Sequence, residues 1–211
     1  MNGDEVIERT IRRTKRYWYE DGLSELAAGA IFLAIGLLFI TEAVALLGPL
    51  GGGLSSLGLI VVVLCGGWLG RWAVTWGKER LTYLRTGYVS YPRRQAGRSR
   101  LATGIVAGGM AMLVSCLFVA APASRAWIPA LQGLVVGGVL LYTGYSLALG
   151  RYVVLAAFSA LVGVACSLGG LSDLLGSGVY FGSLGLATMV SGALALATYL
   201  RQTRPLAVGE G

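Results

Sequence analysis

Three carboxylates, Glu20, Asp21 and Glu25, lie close together where the first long apolar segment of the sequence begins. They could form a proton or cation site, because an ionisable residue in or beside hydrocarbon is costly and tends to be functional. Alternatively they have a structural role, in which they favour the positive end of a helix and pair with a nearby arginine. The arginines that we consider for this pairing are Arg71, Arg80 and Arg85. Since Asp21 and Glu25 are four residues apart, we expect them to share one helical face.

Two further charged residues lie within apolar segments. Glu42 is near the far end of the first segment, where a carboxylate must face water, a cavity or a donor such as Tyr142 or Tyr145. Arg71 is about a turn and a half inside the second segment, within reach of lipid headgroups. We expect these two residues near opposite faces of a membrane and therefore not paired. The candidate polar functional residues are Asp21, Glu25, Glu42 and Arg71.

Several kinds of catalytic chemistry are excluded by what the sequence lacks. There is no histidine, which removes Ser-His hydrolysis, histidine metal sites and histidine-ligated haem. There is also no P-loop and no dinucleotide-binding fingerprint. Cys65, Cys116 and Cys166 lie in separate apolar segments without metal-type pairing, and we interpret them as packing residues. We therefore expect a protein that is not an enzyme and that binds no cofactor or metal.

Membrane-spanning helices must position these residues. Of the 211 residues 55% are hydrophobic and only 13% are charged, whereas soluble domains carry about 25% charged residues. The apolar segments approach the roughly 20 residues that cross a bilayer as a helix. We predict an all-α, polytopic transmembrane helical bundle of about six spans arranged as three hairpins. Gly48 and Pro49, together with the glycines at 51–53, are expected to break the helix between the first two spans. The predicted spans are 23–47, 57–76, 101–121, 128–149, 152–168 and 179–200.

The basic residues give the predicted orientation. Sixteen of the 17 lysines and arginines fall on one side of this topology and only Arg125 falls on the other, so both termini are predicted to be cytoplasmic. The predicted segments are a cytoplasmic amphipathic interfacial segment (1–22), a first transmembrane hairpin (23–77), a basic cytoplasmic loop (78–100), transmembrane helices three to six (101–200) and a cytoplasmic tail (201–211). Residues 80–91 suit either a short β-hairpin or an irregular loop.

The net charge of +7 is explained by this orientation and by anionic lipid headgroups, and we do not expect nucleic acid as a partner. The basic loop contains the arginines that we expect to contact lipid or a membrane partner. These are Arg80, Arg85, Arg93 and Arg94.

Glycine is unusually frequent, with 33 copies, and Gly22, Gly29 and Gly36 recur every seven residues. Gly133 and Gly137 form a further pair at helical spacing. Small residues let transmembrane helices approach closely, since lipid provides no hydrophobic drive for helix association. We interpret these five glycines as helix-packing residues, either inside one bundle or in a homodimer.

The segments Tyr17–Glu25, Lys78–Tyr83 and Arg85–Val89 together resemble a group of small, uncharacterised bacterial multi-pass membrane proteins. The resemblance implies no particular activity for this chain. It implies that the polar cytoplasmic residues, rather than the apolar spans, distinguish the group.

Two functions follow as hypotheses. The first is an accessory or assembly component of the bacterial plasma (inner) membrane that binds lipid or other membrane proteins. The second is a small transporter or channel subunit for an ion or small solute, with a path gated near Glu25 or Glu42. An integral-membrane enzyme that acts on lipid is a third hypothesis with less support.

Overall fold

The computed structural model describes residues 21–44, 51–77 and 122–202. This part of the chain contains five long α-helices, and a 3-10 helix over Pro122–Trp127 precedes the third of them. We number the α-helices in chain order as α1 (Leu23–Ala43), α2 (Gly51–Gly77), α3 (Ile128–Leu147), α4 (Gly150–Leu168) and α5 (Asp173–Gln202).

All five helices are long and apolar enough to cross a membrane. The predictions of an all-α fold and of a multi-pass membrane protein are thereby confirmed. The predicted third span (101–121) and the interfacial segment as far as residue 20 lie outside the described residues, as do the basic loop with its alternative β-hairpin and the tail from residue 203.

The helix boundaries differ from the predicted ones in several places. The glycines at 51–53 were predicted to belong to the break between the first two spans, but they form the first residues of α2, which begins at Gly51, six residues before the predicted start. A glycine costs about 1 kcal/mol in a helix interior, but a backbone in lipid must satisfy its hydrogen bonds internally. The same requirement extends α5 to Asp173, six residues before the predicted start. Helix α1 ends earlier than predicted, at Ala43.

Helices α1 and α4 run in one direction, and α2, α3 and α5 run in the other. In the hairpin of α1 and α2, Gly77 faces Leu23. In the hairpin of α3 and α4, Gly163 faces Pro129, and the turn at the other end places Ala148 in a left-handed conformation with φ 53°. Helix α5 packs against α1, α3 and α4 and so joins the two hairpins.

The bundle has two ends, which we name after their carboxylates. The Glu25 end contains the start of α1, the end of α2, the turn between α3 and α4, and the part of α5 around Gly192. The Glu42 end contains Ala43, Ile128 and Asp173, since Gly178 of α5 lies beside Ile40 and Gly176 lies beside Pro129.

Helices α1 and α5 are in close antiparallel contact through two sets of glycines with the same spacing of seven residues. Gly22 faces Gly192, Gly29 faces Gly185, and Gly36 faces Gly178. A Cβ on Gly29 would lie 2.8 Å from the carbonyl oxygen of Gly185, and one on Gly185 would lie 2.5 Å from the backbone nitrogen of Leu33. Such distances leave no room for a side chain, so the two backbones touch along about four turns.

Large apolar side chains divide between an inner core and the outer surface. Tyr180 and Leu184 of α5 are fully buried, and the ring of Phe181 stacks on Phe32 of α1 with a centroid distance of 6.0 Å. By contrast, Leu161 is 71% exposed and Leu194 is 64% exposed. Apolar residues on the outside and small or polar residues between the helices are the arrangement expected in lipid.

Candidate functional site

An ion pair links two helices at the Glu25 end of the bundle. Glu25 belongs to the first turn of α1, and Arg151 is the second residue of α4. The Arg151 Nε lies 2.7 Å from the Glu25 Oε1. The Glu25 side chain is only 2% exposed, whereas that of Arg151 is 24% exposed. The carboxylate is therefore buried between helices, while the guanidinium extends towards the surface.

A third helix supplies a hydrogen bond to the same carboxylate. Ser191 of α5 donates from its Oγ to the Glu25 Oε2 over 3.0 Å. The next residue, Gly192, allows this approach because a Cβ there would lie 3.0 Å from the Glu25 Cβ and 2.8 Å from the Gly22 carbonyl oxygen. Both oxygens of Glu25 thus have polar partners, and those partners come from α4 and α5.

Asp21 lies beside this site but has a different local role. Gly22 has a left-handed conformation with φ 73°, and α1 begins only at Leu23. The Asp21 Oδ1 accepts a hydrogen bond of 3.3 Å from the Leu23 backbone N–H, and the side chain is 1% exposed. The prediction that Asp21 and Glu25 share a helical face was wrong, because Asp21 precedes the helix and satisfies one of its free N–H groups.

The partner of Glu25 also differs from the arginines considered from the sequence. Arg71 is exposed on the outside of α2 and does not pair with Glu25. Arg80 and Arg85 lie outside the described residues, as do Arg93, Arg94 and Glu20. The sequence did contain a signal for Arg151: it follows directly after the short connection between α3 and α4, where no loop can carry its charge far from the helices.

Glu42 is isolated from the other candidate residues. It lies one residue before the end of α1 and is half-buried, at the end of the bundle opposite to Glu25. Tyr142 and Tyr145 belong to the other end, near the turn that follows α3, and are 74% and 83% exposed. Their expected hydrogen bond to Glu42 is not formed, since the two tyrosines and the carboxylate lie at opposite ends.

A second polar cluster lies among α3, α4 and α5. The Ser159 Oγ donates to the carbonyl oxygen of Gly133 over 3.0 Å and lies 2.8 Å from the Tyr180 hydroxyl. That hydroxyl in turn contacts the carbonyl oxygen of Gln132 over 3.3 Å. Ser159 and Tyr180 are both fully buried. No sequence pattern pointed to this cluster, because isolated hydroxyl residues in apolar helices are common.

The glycines predicted as packing residues lie between helices of this one chain. Gly22, Gly29 and Gly36 face α5, and a Cβ on Gly133 would lie 2.6 Å from the Ser159 carbonyl oxygen. A Cβ on Gly137 would lie 3.0 Å from the Ala156 carbonyl oxygen. Sequence reasoning did not identify the matching glycines of α5, although their spacing is the same seven residues. They are Gly178, Gly185 and Gly192.

A shallow groove of about 480 Å³ opens on the outer surface where α3 meets α4. It is almost wholly apolar, and neither Glu25 nor Glu42 contributes to it. Its lining residues are Gly138, Leu141, Tyr142, Tyr145 and Val153.

Chemically, the Glu25 site is a neutralised ion pair rather than an open binding site. One carboxylate receives a guanidinium and a hydroxyl, and glycine contacts close the helices around it. No protein-family model matches this chain, and it has no match among the curated proteins or the solved structures. The five helices support a multi-pass integral membrane protein.

Proposed function

We propose that this protein is a non-enzymatic accessory or assembly component of a membrane, which binds other membrane proteins or lipid. The proposal rests on the surroundings of Glu25, the best candidate for a functional residue. Glu25 is buried, paired with Arg151 and hydrogen-bonded to Ser191. A carboxylate held in this way fixes three helices together and offers no vacant position to a transported ion. Removing its partner would leave a buried charge, which is strongly unfavourable.

The rival function, a small transporter or channel subunit, has less support. Such proteins bind substrate near mid-membrane, commonly where helices are interrupted. The five described helices continue without interruption over 19 to 30 residues. Glu42 lies far from Glu25, and the apolar groove between α3 and α4 reaches neither. These features favour a scaffold over a transport path.

A lipid-modifying enzyme has still less support. It would need carboxylates gathered beside a lateral opening at one interface. Asp21 and Glu25 are the described carboxylates nearest to one another, and both are at most 2% exposed. Neither side chain is accessible to a lipid in the surrounding bilayer.

We also infer six membrane crossings with both termini on one side. Gly77 ends α2 at the Glu25 end of the bundle, whereas Ile128 begins α3 at the Glu42 end. The chain between them must therefore traverse the bundle an odd number of times, and the apolar residues 101–121 are the stretch long enough to do so. The start of α1 and the last turns of α5 then share a side. The excess of basic residues favours the cytoplasm for that side, in a bacterial plasma membrane.

The surfaces left for a partner are the basic loop and the outside of the bundle. The glycine faces of α1 and α5 are occupied within the chain, which makes them poor candidates for a homodimer in this conformation. We propose that partner or lipid contact instead involves the basic loop through its arginines. They are Arg80, Arg85, Arg93 and Arg94.

The experiment that tests the function is purification from the native membrane in mild detergent, with identification of the proteins that accompany the chain. A stoichiometric membrane partner that is lost when Arg80 and Arg85 are replaced by glutamine would support the assembly role. A matched control is Arg125→Gln, at the opposite end of the bundle. A chain that purifies alone and conducts ions in vesicles, with flux abolished by Glu42→Gln, would overturn the proposal in favour of the transporter.

A further inference from the structure

Helix α2 carries an arginine on its outer surface, within the membrane-spanning part of the helix. Arg71 is exposed and lies six residues before the end of α2 at Gly77, which corresponds to about 9 Å along the axis. Its depth follows from the neighbouring residue, because a Cβ on Gly70 would lie 3.5 Å from the Ala27 Cβ of α1. Arg71 therefore lies within about one helical turn of the level of Glu25.

The described part of the chain offers Arg71 no counterion. Helix α2 contains no carboxylate, and Glu25 is engaged by Arg151 and Ser191. Glu42 and Asp173 lie at the other end of the bundle. A charged group that faces hydrocarbon is costly, and an anion that meets Arg71 from outside the described residues would lower that cost.

The direction of the Cα–Cβ bond of Arg71 also favours a nearby anion. The Cα–Cβ bonds of a helix tilt towards its N-terminus, and for α2 that direction leads away from Gly77 and deeper into the membrane. The guanidinium reaches the surface only by bending back along the helix. An anionic group that lies deeper in the membrane than the other headgroups would be closer to the guanidinium.

Two exposed aromatic side chains lie close to the arginine in α2. Trp68 precedes Arg71 by about one helical turn and Trp72 follows it directly, and they are 69% and 60% exposed. The ring of Trp72 stacks on that of Trp76 with a centroid distance of 6.4 Å. Tryptophan is enriched at the headgroup level of a bilayer, where the ring contacts acyl chains and its N–H finds an acceptor.

We propose that this surface of α2, formed by Trp68, Arg71 and Trp72, is a binding site for the phosphate of an anionic phospholipid. The guanidinium suits a phosphate because its donors match two oxygens at once. A second copy of the chain is a poorer occupant, since the described carboxylates at this depth, Asp21 and Glu25, are at most 2% exposed. The site rests on the lipid-binding part of the proposed function and gives it a ligand class.

The test uses the full chain reconstituted in phosphatidylcholine vesicles that contain a minor fraction of phosphatidylglycerol with brominated acyl chains. Bromine quenches tryptophan fluorescence at contact, so quenching beyond that of brominated phosphatidylcholine at the same fraction measures enrichment around the protein. We expect a preference of about five-fold for the anionic lipid, as one arginine near an anionic surface provides. High salt should weaken it.

Arg71→Gln should remove most of this preference, and Arg71→Lys should retain only part of it, because lysine keeps the charge but not the paired donors. Arg125→Gln is the matched control, because Arg125 is also exposed and has a tryptophan nearby, Trp127, which is 54% exposed. This variant should leave the preference unchanged. Equal quenching by both lipids in the wild type, or an undiminished preference in Arg71→Gln, would overturn the proposal.

Two further outcomes separate this site from the proposed function. If Arg71→Gln loses a copurifying membrane protein and keeps its lipid preference, Arg71 contacts a partner carboxylate, and the lipid site is wrong while the assembly role stands. If the chain purifies alone yet shows a preference that depends on Arg71, the assembly role is wrong while the lipid site stands.

Discussion

Glu25 of α1 and Arg151 of α4 form a buried ion pair of 2.7 Å that joins the first hairpin to the second. Ser191 extends the contact to α5, so one carboxylate ties together three helices that are distant in the sequence. A buried ion pair contributes little net stability compared with apolar residues, but removal of one partner is costly because the other charge remains. The pair therefore specifies how the helices fit together.

Replacement of either partner of this pair should destabilise the bundle. We expect Arg151→Gln to lower the free energy of unfolding by about 3 kcal/mol, near the lower end of the range for buried pairs because the guanidinium is partly exposed. The melting temperature in mild detergent, followed by tryptophan fluorescence, gives the measurement. The double variant Glu25→Gln with Arg151→Gln should recover much of the loss. Glu42→Gln is the control, and an equal effect there would contradict the role of the pair.

The glycine contacts between α1 and α5 give a second prediction with a control in the same helix. A Cβ on Gly185 would lie 2.5 Å from the Leu33 backbone nitrogen, whereas one on Gly182 would meet no atom within 4 Å. Gly185→Ala should cost about 1–3 kcal/mol through forced separation of the backbones. Gly182→Ala should be neutral or stabilising, because alanine favours the helix by about 1 kcal/mol. Similar melting temperatures for the two variants would show that α1 and α5 do not touch as described.

The comparison of sequence and structure shows which contacts a linear pattern can reveal. The heptad of Gly22, Gly29 and Gly36 is periodic within one helix, and periodicity is visible in the sequence. Which helix faces it depends on how the hairpins assemble, and a single sequence does not contain that information. Arg151 illustrates the same limit. Several arginines were predicted to lie about as close to the membrane surface as Glu25, and the sequence did not indicate which of them is its partner. The position of each residue along its own helix was predictable, but its neighbour across the interface was not.

The Ser159 and Tyr180 hydroxyls should stabilise the packing of α3, α4 and α5 through one shared hydrogen bond of 2.8 Å. Hydrogen bonds between transmembrane helices contribute about 0.6 kcal/mol on average and up to about 1.7 kcal/mol. Tyr180→Phe should lower stability within that range, and Ser159→Ala should do the same. Because they share a bond, the double variant should lose less than the sum of the two. Ser183→Ala is the control, since its hydroxyl bonds only to the preceding turn of its own helix, and strict additivity of the first two would argue against a shared bond.

The final prediction concerns the two ends of the unit formed by α3, α4 and α5. If each of these three helices crosses the membrane, Arg125 and Arg201 lie on opposite sides, because Arg125 precedes α3 at the Glu42 end and Arg201 is near the last residue of α5. Single cysteines at these positions, in a chain without its three native cysteines, can be probed with a maleimide that does not cross membranes. Arg125→Cys should react in intact cells, whereas Arg201→Cys should react only after the membrane is opened. The two arginines suit this test because both are exposed, so accessibility depends on the side of the membrane and not on burial.

Labelling of both from the same side would mean that the end of α5 and the start of α3 lie on the same side of the membrane. That result would contradict the parallel arrangement of α3 and α5, in which Tyr180 of α5 reaches Gln132 near the start of α3.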